Sequence, residues 1–123
     1  MPRYRSKLEA RLAKSAPLKG ARYEAEVMFY PKGIGRYTPD FVLPNGIYLE
    51  VKGRFLAKDR AKMLAVKGAH LDCDIRLVFQ RPQMTLSKVS QTTYAAWATK
   101  HGFPWCAASD TATLTKWAKE KPR

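Results

Sequence analysis

A chain of 123 residues, 46% of them apolar, has room for one compact domain with a modest core, and it is not a disordered composition. Its 23 Lys and Arg stand against 10 Asp and Glu, a formal charge of +13 that favours polyanionic partners and says nothing of the fold. Two distant cysteines, Cys73 and Cys106, and two histidines give too few ligands for a structural zinc site.

The first predicted element is a helix capped by Ser6, with Leu8 and Leu12 on one stripe, Ala16 completing it and Pro17 stopping it. Beyond Gly20, the segment Tyr23–Tyr30 alternates Tyr23, Ala25, Val27 and Phe29 with mostly polar neighbours, the pattern of a strand, until Pro31–Gly35 breaks it. Two short strands, Tyr37–Leu43 and Ile47–Lys52, flank Pro44-Asn45-Gly46. Proline suits the first central position of a type I turn, asparagine the second, and glycine the left-handed residue that follows.

With Leu43 opposite Ile47 as the closing pair, the register runs outwards as Val42–Tyr48, Phe41–Leu49, Asp40–Glu50 and Pro39–Val51. One face of the ribbon is then wholly apolar: Phe41, Leu43, Ile47, Leu49 and Val51. The other carries Asp40, Val42, Tyr48, Glu50 and Lys52. A slip of a single residue would scramble this separation.

A helix is predicted from Ala57 to about His70, with Met63, Leu64 and Val66 on its apolar side. Asp74–Phe79 reads as a central strand and Gln80–Val89 as a basic, irregular connection. Thr92 or Thr93 caps a helix bearing Tyr94 and Trp97 and ended by Gly102. Asp110 or Thr111 caps a last helix through Leu114 and Trp117. His70 and His101 fall near helix ends, and Trp97, Trp105 and Trp117 belong to the core rather than to base-stacking platforms. The order α-β-β-β-α-β-α-α predicts a mixed α/β domain, a small sheet flanked by helices.

Two carboxylates facing each other across a ribbon have Cβ atoms about 5 Å apart, where like charges destabilise. A divalent cation shared by Asp40 and Glu50 resolves the conflict, and hard oxygen ligands suit Mg²⁺ or Mn²⁺. Lys52, two residues past Glu50, shares its face and can orient an attacking water or stabilise a pentacovalent phosphate. Read without chemistry, Glu50 and Lys52 are exposed strand residues and Asp40 part of a turn; the hairpin register in so basic a chain favours catalysis.

The run YTPDFVLPNGIYLEVKG, Tyr37 to Gly53, resembles the bacteriophage endonuclease I family, the phage Holliday junction resolvases. The similarity continues through Asp59-Arg60, Asp74–Phe79 and Lys100-His101-Gly102, most of the chain. The resemblance implies a restriction-endonuclease-like PD-(D/E)xK core, Mg²⁺ or Mn²⁺ at one or two ions per site, and nicking of opposed strands at four-way junctions. It implies catalytic roles for Asp40, Glu50 and Lys52, and for Glu9 in Ser6-Lys7-Leu8-Glu9. The implied metal ligands are Asp40, Glu50, the Val51 carbonyl and Glu9. Glu9 is also the only acid in the first 23 residues.

The resemblance further implies one nuclease domain over residues 1–123 that forms an intertwined homodimer, with about 1–30 exchanged, 31–36 as connector, and Glu9 completing the partner's site. The two glycines of Pro31–Gly35 sit uneasily with an extended connector. Phosphate contacts are expected from Arg3, Arg5, Lys7 and Arg11, from Lys32 and Arg36, and from Arg54, Lys58 and Lys62, with little sequence readout. Nothing marks the chain as secreted and no stretch approaches about 20 apolar residues, so it is expected in the reduced host cytoplasm, without membrane or small-molecule cofactor. The competing readings are a nuclease of the same core acting on mismatched or specific duplex DNA, and a basic nucleic-acid binder without catalysis.

Overall fold

The computed structural model describes residues 4–24, 27–30 and 35–122. Helix α1 covers Lys7–Ala13 and starts where expected: the Ser6 hydroxyl accepts the Glu9 N–H at 3.0 Å. It ends before Pro17, which sits inside a separate 3₁₀ turn, Ala16–Leu18. That turn exposes Ala16 and buries Leu18, so Leu18 rather than Ala16 completes the apolar stripe.

The predicted strand Tyr23–Tyr30 is two short strands in different sheets, β1 (Arg22–Tyr23) and β2 (Met28–Tyr30). The break falls at Glu24, whose φ of 46° cannot continue a strand. Of the expected inward positions, Ala25 lies outside the described residues and Val27 is half exposed. Strand β3 (Gly35–Tyr37) pairs antiparallel with β2.

The predicted strand Tyr37–Leu43 is also divided, into β3 and β4 (Phe41–Val42), with a bend at Asp40. Pro39, which has no N–H to give a ladder, marks the division. The hairpin itself follows its sequence. Leu43 N–H reaches Ile47 O, Gly46 N–H reaches Leu43 O, both at 2.9 Å, and Gly46 holds φ at 90°. The β4–β5 register, with β5 at Tyr48–Lys52, is Phe41↔Leu49 and Val42↔Tyr48. Asn45 secures the turn: its Oδ1 accepts the Ile47 N–H, and its Nδ2 donates to the carbonyls of Trp117 and Glu120 at 2.8 and 3.0 Å.

Helix α2 (Ala57–Ala69) crosses to the fully buried β6 (Ile75–Phe79), and α3 (Tyr94–Lys100) crosses to β7 (Trp105–Ala107) before α4 (Thr111–Ala118). Thr93 and Asp110 cap α3 and α4, as expected. On α2, Met63 and Val66 are buried, but Leu64 is exposed, because it points away from the sheet. Strand β7 escapes a sequence reading: only Trp105, Cys106 and Ala107 form it, following Gly102-Phe103-Pro104.

The five-stranded sheet runs β1-β4-β5-β6-β7, antiparallel up to β5 and parallel from β5 to β7. Each face of it carries a core. Phe41, Leu43, Ile47, Leu49 and Val51 pack with Leu8, Leu12, Leu18, Leu114 and Trp117 on one side. On the other, Leu77 and Phe79 pack with Phe55, Met63, Tyr94, Trp97 and Phe103. Phe55 makes three ring contacts of 5.0–5.7 Å there, each worth about 0.5–1.5 kcal/mol beyond area burial. The apolar face of the ribbon is thus the one predicted, while the face bearing Glu50 and Lys52 is largely roofed by α2 and α3. Trp97 and Trp117 are core, and Trp105 is half-buried with its Nε1 donating to Thr99. Among the described residues, no helix is long and apolar enough to cross a membrane.

Candidate active site

The β4–β5 ladder stops one pair short of the acids. Beyond Phe41↔Leu49 the chain bends at Asp40, whose carbonyl accepts the Glu24 N–H at 2.9 Å. Its side chain then takes the place of a strand partner: Asp40 Oδ2 accepts the Val51 N–H at 2.7 Å. Asp40 is 1% exposed and Glu50 6%. Tyr48 N–H reaches Asp74 O and Gln80 N–H reaches Lys52 O, so the even residues of β5 turn their backbone groups to β6. By strand alternation the Val51 carbonyl faces the β4 side, where Asp40 lies.

Glu50 is held at both oxygens. Tyr37 OH donates to Oε1 at 3.0 Å, and Lys52 Nζ lies 3.2 Å from Oε2. The Lys52 ammonium also stands 3.5 Å from Asp59 Oδ1, while Asp59 Oδ2 accepts the Leu56 N–H at the start of α2. Asp40 Oδ1 meets Arg5 Nη2 at 3.1 Å, and Arg5 Nε meets Glu24 at 3.2 Å. Glu9, also buried, accepts a hydrogen bond from Tyr23 OH, which in turn accepts the Arg5 N–H.

These contacts do not neutralise the acids. Burial, then repulsion from Glu50, pushes the Asp40 carboxyl up to about 8, with Glu9 adding to the rise. Burial raises Glu50 as well, against the pull of Lys52 and Tyr37. Burial lowers the Lys52 ammonium, but Glu50 and Asp59 more than offset it, so Lys52 stays charged. The Tyr37 phenol is raised by burial and by Glu50, so it remains a donor.

The residues present fit a hard divalent cation. Two buried carboxylates with raised affinity for positive charge, and a main-chain carbonyl on the same side, are the oxygen donors such an ion takes. Among the described residues, no three acidic, His or Cys side chains converge on one point that could hold a metal. Glu9 lies near enough to Asp40 for its charge to raise that carboxyl further.

A polar pocket of about 350 Å³ opens over Glu50 and Lys52, lined also by Arg5, Glu24, Arg36, Tyr37, Asp59 and Lys62. Of the expected phosphate-contacting cations, Arg5, Arg36 and Lys62 are therefore gathered at this pocket. Lys7, Arg11, Arg54 and Lys58 are exposed elsewhere, and Arg3 and Lys32 lie outside the described residues. Tyr23, Tyr37, Glu24 and Asp59 carry parts of the site that motif reading left without a role. Tyr37 and Asp59 had a signal, since both lie within the stretches that resemble the resolvases; Glu24, with its left-handed backbone at 46°, had none.

Comparison with known proteins identifies the family to which the chain belongs. The chain is 42% identical over 103 residues to endodeoxyribonuclease 1 of Enterobacteria phage T3, covering 80% of this chain and 68% of that one. It is 38% identical over 121 residues to endonuclease I of Escherichia phage T7, covering 95% of this chain and 79% of that one. The sequence profile described as Phage endonuclease I matches residues 1–123, and the chain belongs to that family.

Proposed function

We propose that this chain is a structure-selective endodeoxyribonuclease, a phosphodiester hydrolase that resolves four-way and other branched DNA junctions. The observation that carries the reading is the Asp40–Glu50–Lys52 group: two buried acids raised by burial, with an ammonium fixed beside them. Membership of a family whose relatives are named as endonucleases makes DNA the polymer that is cut.

In this reading Asp40, Glu50 and the Val51 carbonyl hold Mg²⁺ or Mn²⁺, one or two ions per site. The bound cation supplies Lewis-acid polarisation of the phosphate and an acidified water. Lys52, fixed between Glu50 and Asp59, orients the attacking water or meets charge developing on the phosphate. Tyr37 fixes the Glu50 rotamer, and the Val51 N–H fixes that of Asp40. Arg5, Arg36 and Lys62 at the pocket rim receive the flanking phosphates. Glu9, held by Tyr23, adds negative charge near Asp40 and so strengthens its demand for a cation.

The core is of the PD-(D/E)xK type and works as a homodimer, which suits paired incisions on opposed strands. Within one chain the charge of Glu9 acts on Asp40. Two copies exchanging residues 1–30 through the 31–36 connector would rebuild the same neighbourhood between chains. As a phage protein the enzyme would act in the host cytoplasm. Incubation with a four-way junction and a linear duplex of matched sequence, with and without Mg²⁺, tests the reading. Metal-dependent cutting of the junction alone is expected; equal cutting of both substrates would remove the junction claim.

A further inference from the structure

Each carboxylate oxygen of Asp40 and Glu50 has a partner, and the partners are of two kinds. Asp40 Oδ2 and Glu50 Oε1 accept from neutral donors, the Val51 N–H and the Tyr37 hydroxyl. Such an oxygen keeps a second lone pair for a cation. Asp40 Oδ1 and Glu50 Oε2 instead meet positive charges, Arg5 Nη2 at 3.1 Å and Lys52 Nζ at 3.2 Å. A divalent ion approaching either of these oxygens brings like charges together, so the resident cation opposes it.

The two cations are not equally held. Lys52 is fixed between Glu50 and Asp59, with 21% of its side chain exposed. Arg5 stands at the open side of the pocket, its side chain 64% exposed, and reaches Asp40 through one nitrogen. Its Nε meets Glu24 Oε2 at 3.2 Å, and its backbone N–H donates to Tyr23 OH. A guanidinium that leaves Asp40 is therefore still kept at the rim by Glu24. Asp40, buried and bonded to Val51, cannot follow it. Arginine suits such a post, because its charge is permanent and its fork can span two carboxylates.

We propose that Arg5 is an exchangeable counter-ion of the metal centre: it holds Asp40 Oδ1 in the metal-free chain, and a divalent cation displaces it from that oxygen on binding. The proposal rests on the metal-dependent nuclease reading and goes further by naming the residue that the ion must compete with. Removing Arg5 then has two linked effects. The metal-free chain loses a partner for a buried carboxyl, and the ion no longer has to displace one. Stability without metal falls while affinity for metal rises, the two changes being sides of one cycle.

The test is Mn²⁺ calorimetry on the full chain without DNA, at one pH and one ionic strength. Arg5→Gln should lower the Mn²⁺ Kd at least about fivefold, an effect of the size that a directly competing charge produces. Arg5→Lys, which returns a cation to the same arm, should bring Kd back to within about twofold of the parent. Arg36→Ala removes the same charge from the same pocket, and among the described residues no ion pair joins Arg36 to Asp40 or Glu50. It should change Kd by less than about twofold. In denaturant titrations Arg5→Gln should unfold earlier than the parent in EDTA, and by a smaller margin in saturating Mn²⁺. An Arg5→Gln Kd within about twofold of the parent, or a gain matched by Arg36→Ala, would overturn the exchange. A parent chain with no Mn²⁺ site that Asp40→Asn abolishes would sink the metal reading itself, and the exchange with it.

Discussion

Asp40 Oδ2 accepts the backbone N–H of Val51 at 2.7 Å, so a side chain completes the hydrogen bond that the strand itself does not reach. The bond locks the carboxylate against β5 and, through Val51, fixes it relative to Glu50 on the neighbouring residue. It also explains how an acid raised to about 8 stays buried: one oxygen is satisfied by an amide and the other by Arg5.

Asp40 should make stability depend on pH. Its carboxyl ordinarily titrates at 3.8 and is raised to about 8 in the native state, by burial first and Glu50 second. Between those values the folded chain binds more protons than the unfolded one, so stability falls as pH rises. Without divalent cation, denaturant titrations should show a loss on the order of 4 kcal/mol from pH 5 to pH 9. Mg²⁺ should flatten the curve. A metal-free curve that rises over this range would contradict the raised carboxyl.

Asp40→Asn should separate stability from function. The amide still accepts the Val51 N–H but carries no charge to desolvate, so the variant should be more stable than the parent by about 1–2 kcal/mol at pH 8 in EDTA. Cutting of the junction should be lost, while binding persists. A fall in stability would mean that the Arg5 pair outweighs burial.

Glu50→Gln keeps an acceptor for Tyr37, and Lys52→Ala empties the space between Glu50 and Asp59. Both should lower junction cutting by roughly 10²–10³-fold or more with Kd for the junction little changed. Lys52→Ala should in addition cost about 2 kcal/mol of stability, because it leaves Glu50 and Asp59 facing each other. Glu50→Gln cutting at the parent rate would overturn the site.

Glu9 reports whether chains exchange their first elements. Glu9→Gln and Glu50→Gln chains, unfolded together and refolded, should recover activity only if Glu9 serves a partner's Asp40, since one site per mixed dimer is then intact. A site built within one chain stays dead in every combination. Recovery of roughly one quarter of parental activity is the expected mark of exchange, half the dimers being mixed and each carrying one good site of two.

Much of this was legible because the hairpin specifies itself. Pro44-Asn45-Gly46 fixes the turn, the turn fixes the register, and the register sorts Phe41, Leu49 and Val51 from Glu50 and Lys52. Composition could not give the bend at Asp40, where Pro39 ends the ladder and the side chain substitutes for it. Nor could alternation reveal that Tyr23–Tyr30 divides at Glu24, because the division depends on a left-handed backbone that no side-chain pattern encodes. Tyr23 and Tyr37 look like ordinary core aromatics in sequence, and only the folded arrangement brings their hydroxyls onto Glu9 and Glu50. Strand β7 is too short to show a period.

Asn45 ties the tip of the ribbon to the end of α4 through the carbonyls of Trp117 and Glu120. The turn opposite the acids is thus clasped by a segment some seventy residues later in the chain. A growing polypeptide carries Asn45 some seventy residues before the carbonyls that hold it, so the tip of the ribbon is anchored only once α4 has docked. Asn45→Ala, losing these two bonds and the acceptor of the Ile47 N–H, should cost about 1–3 kcal/mol, and its effect should spread from the turn along the ribbon to the acids.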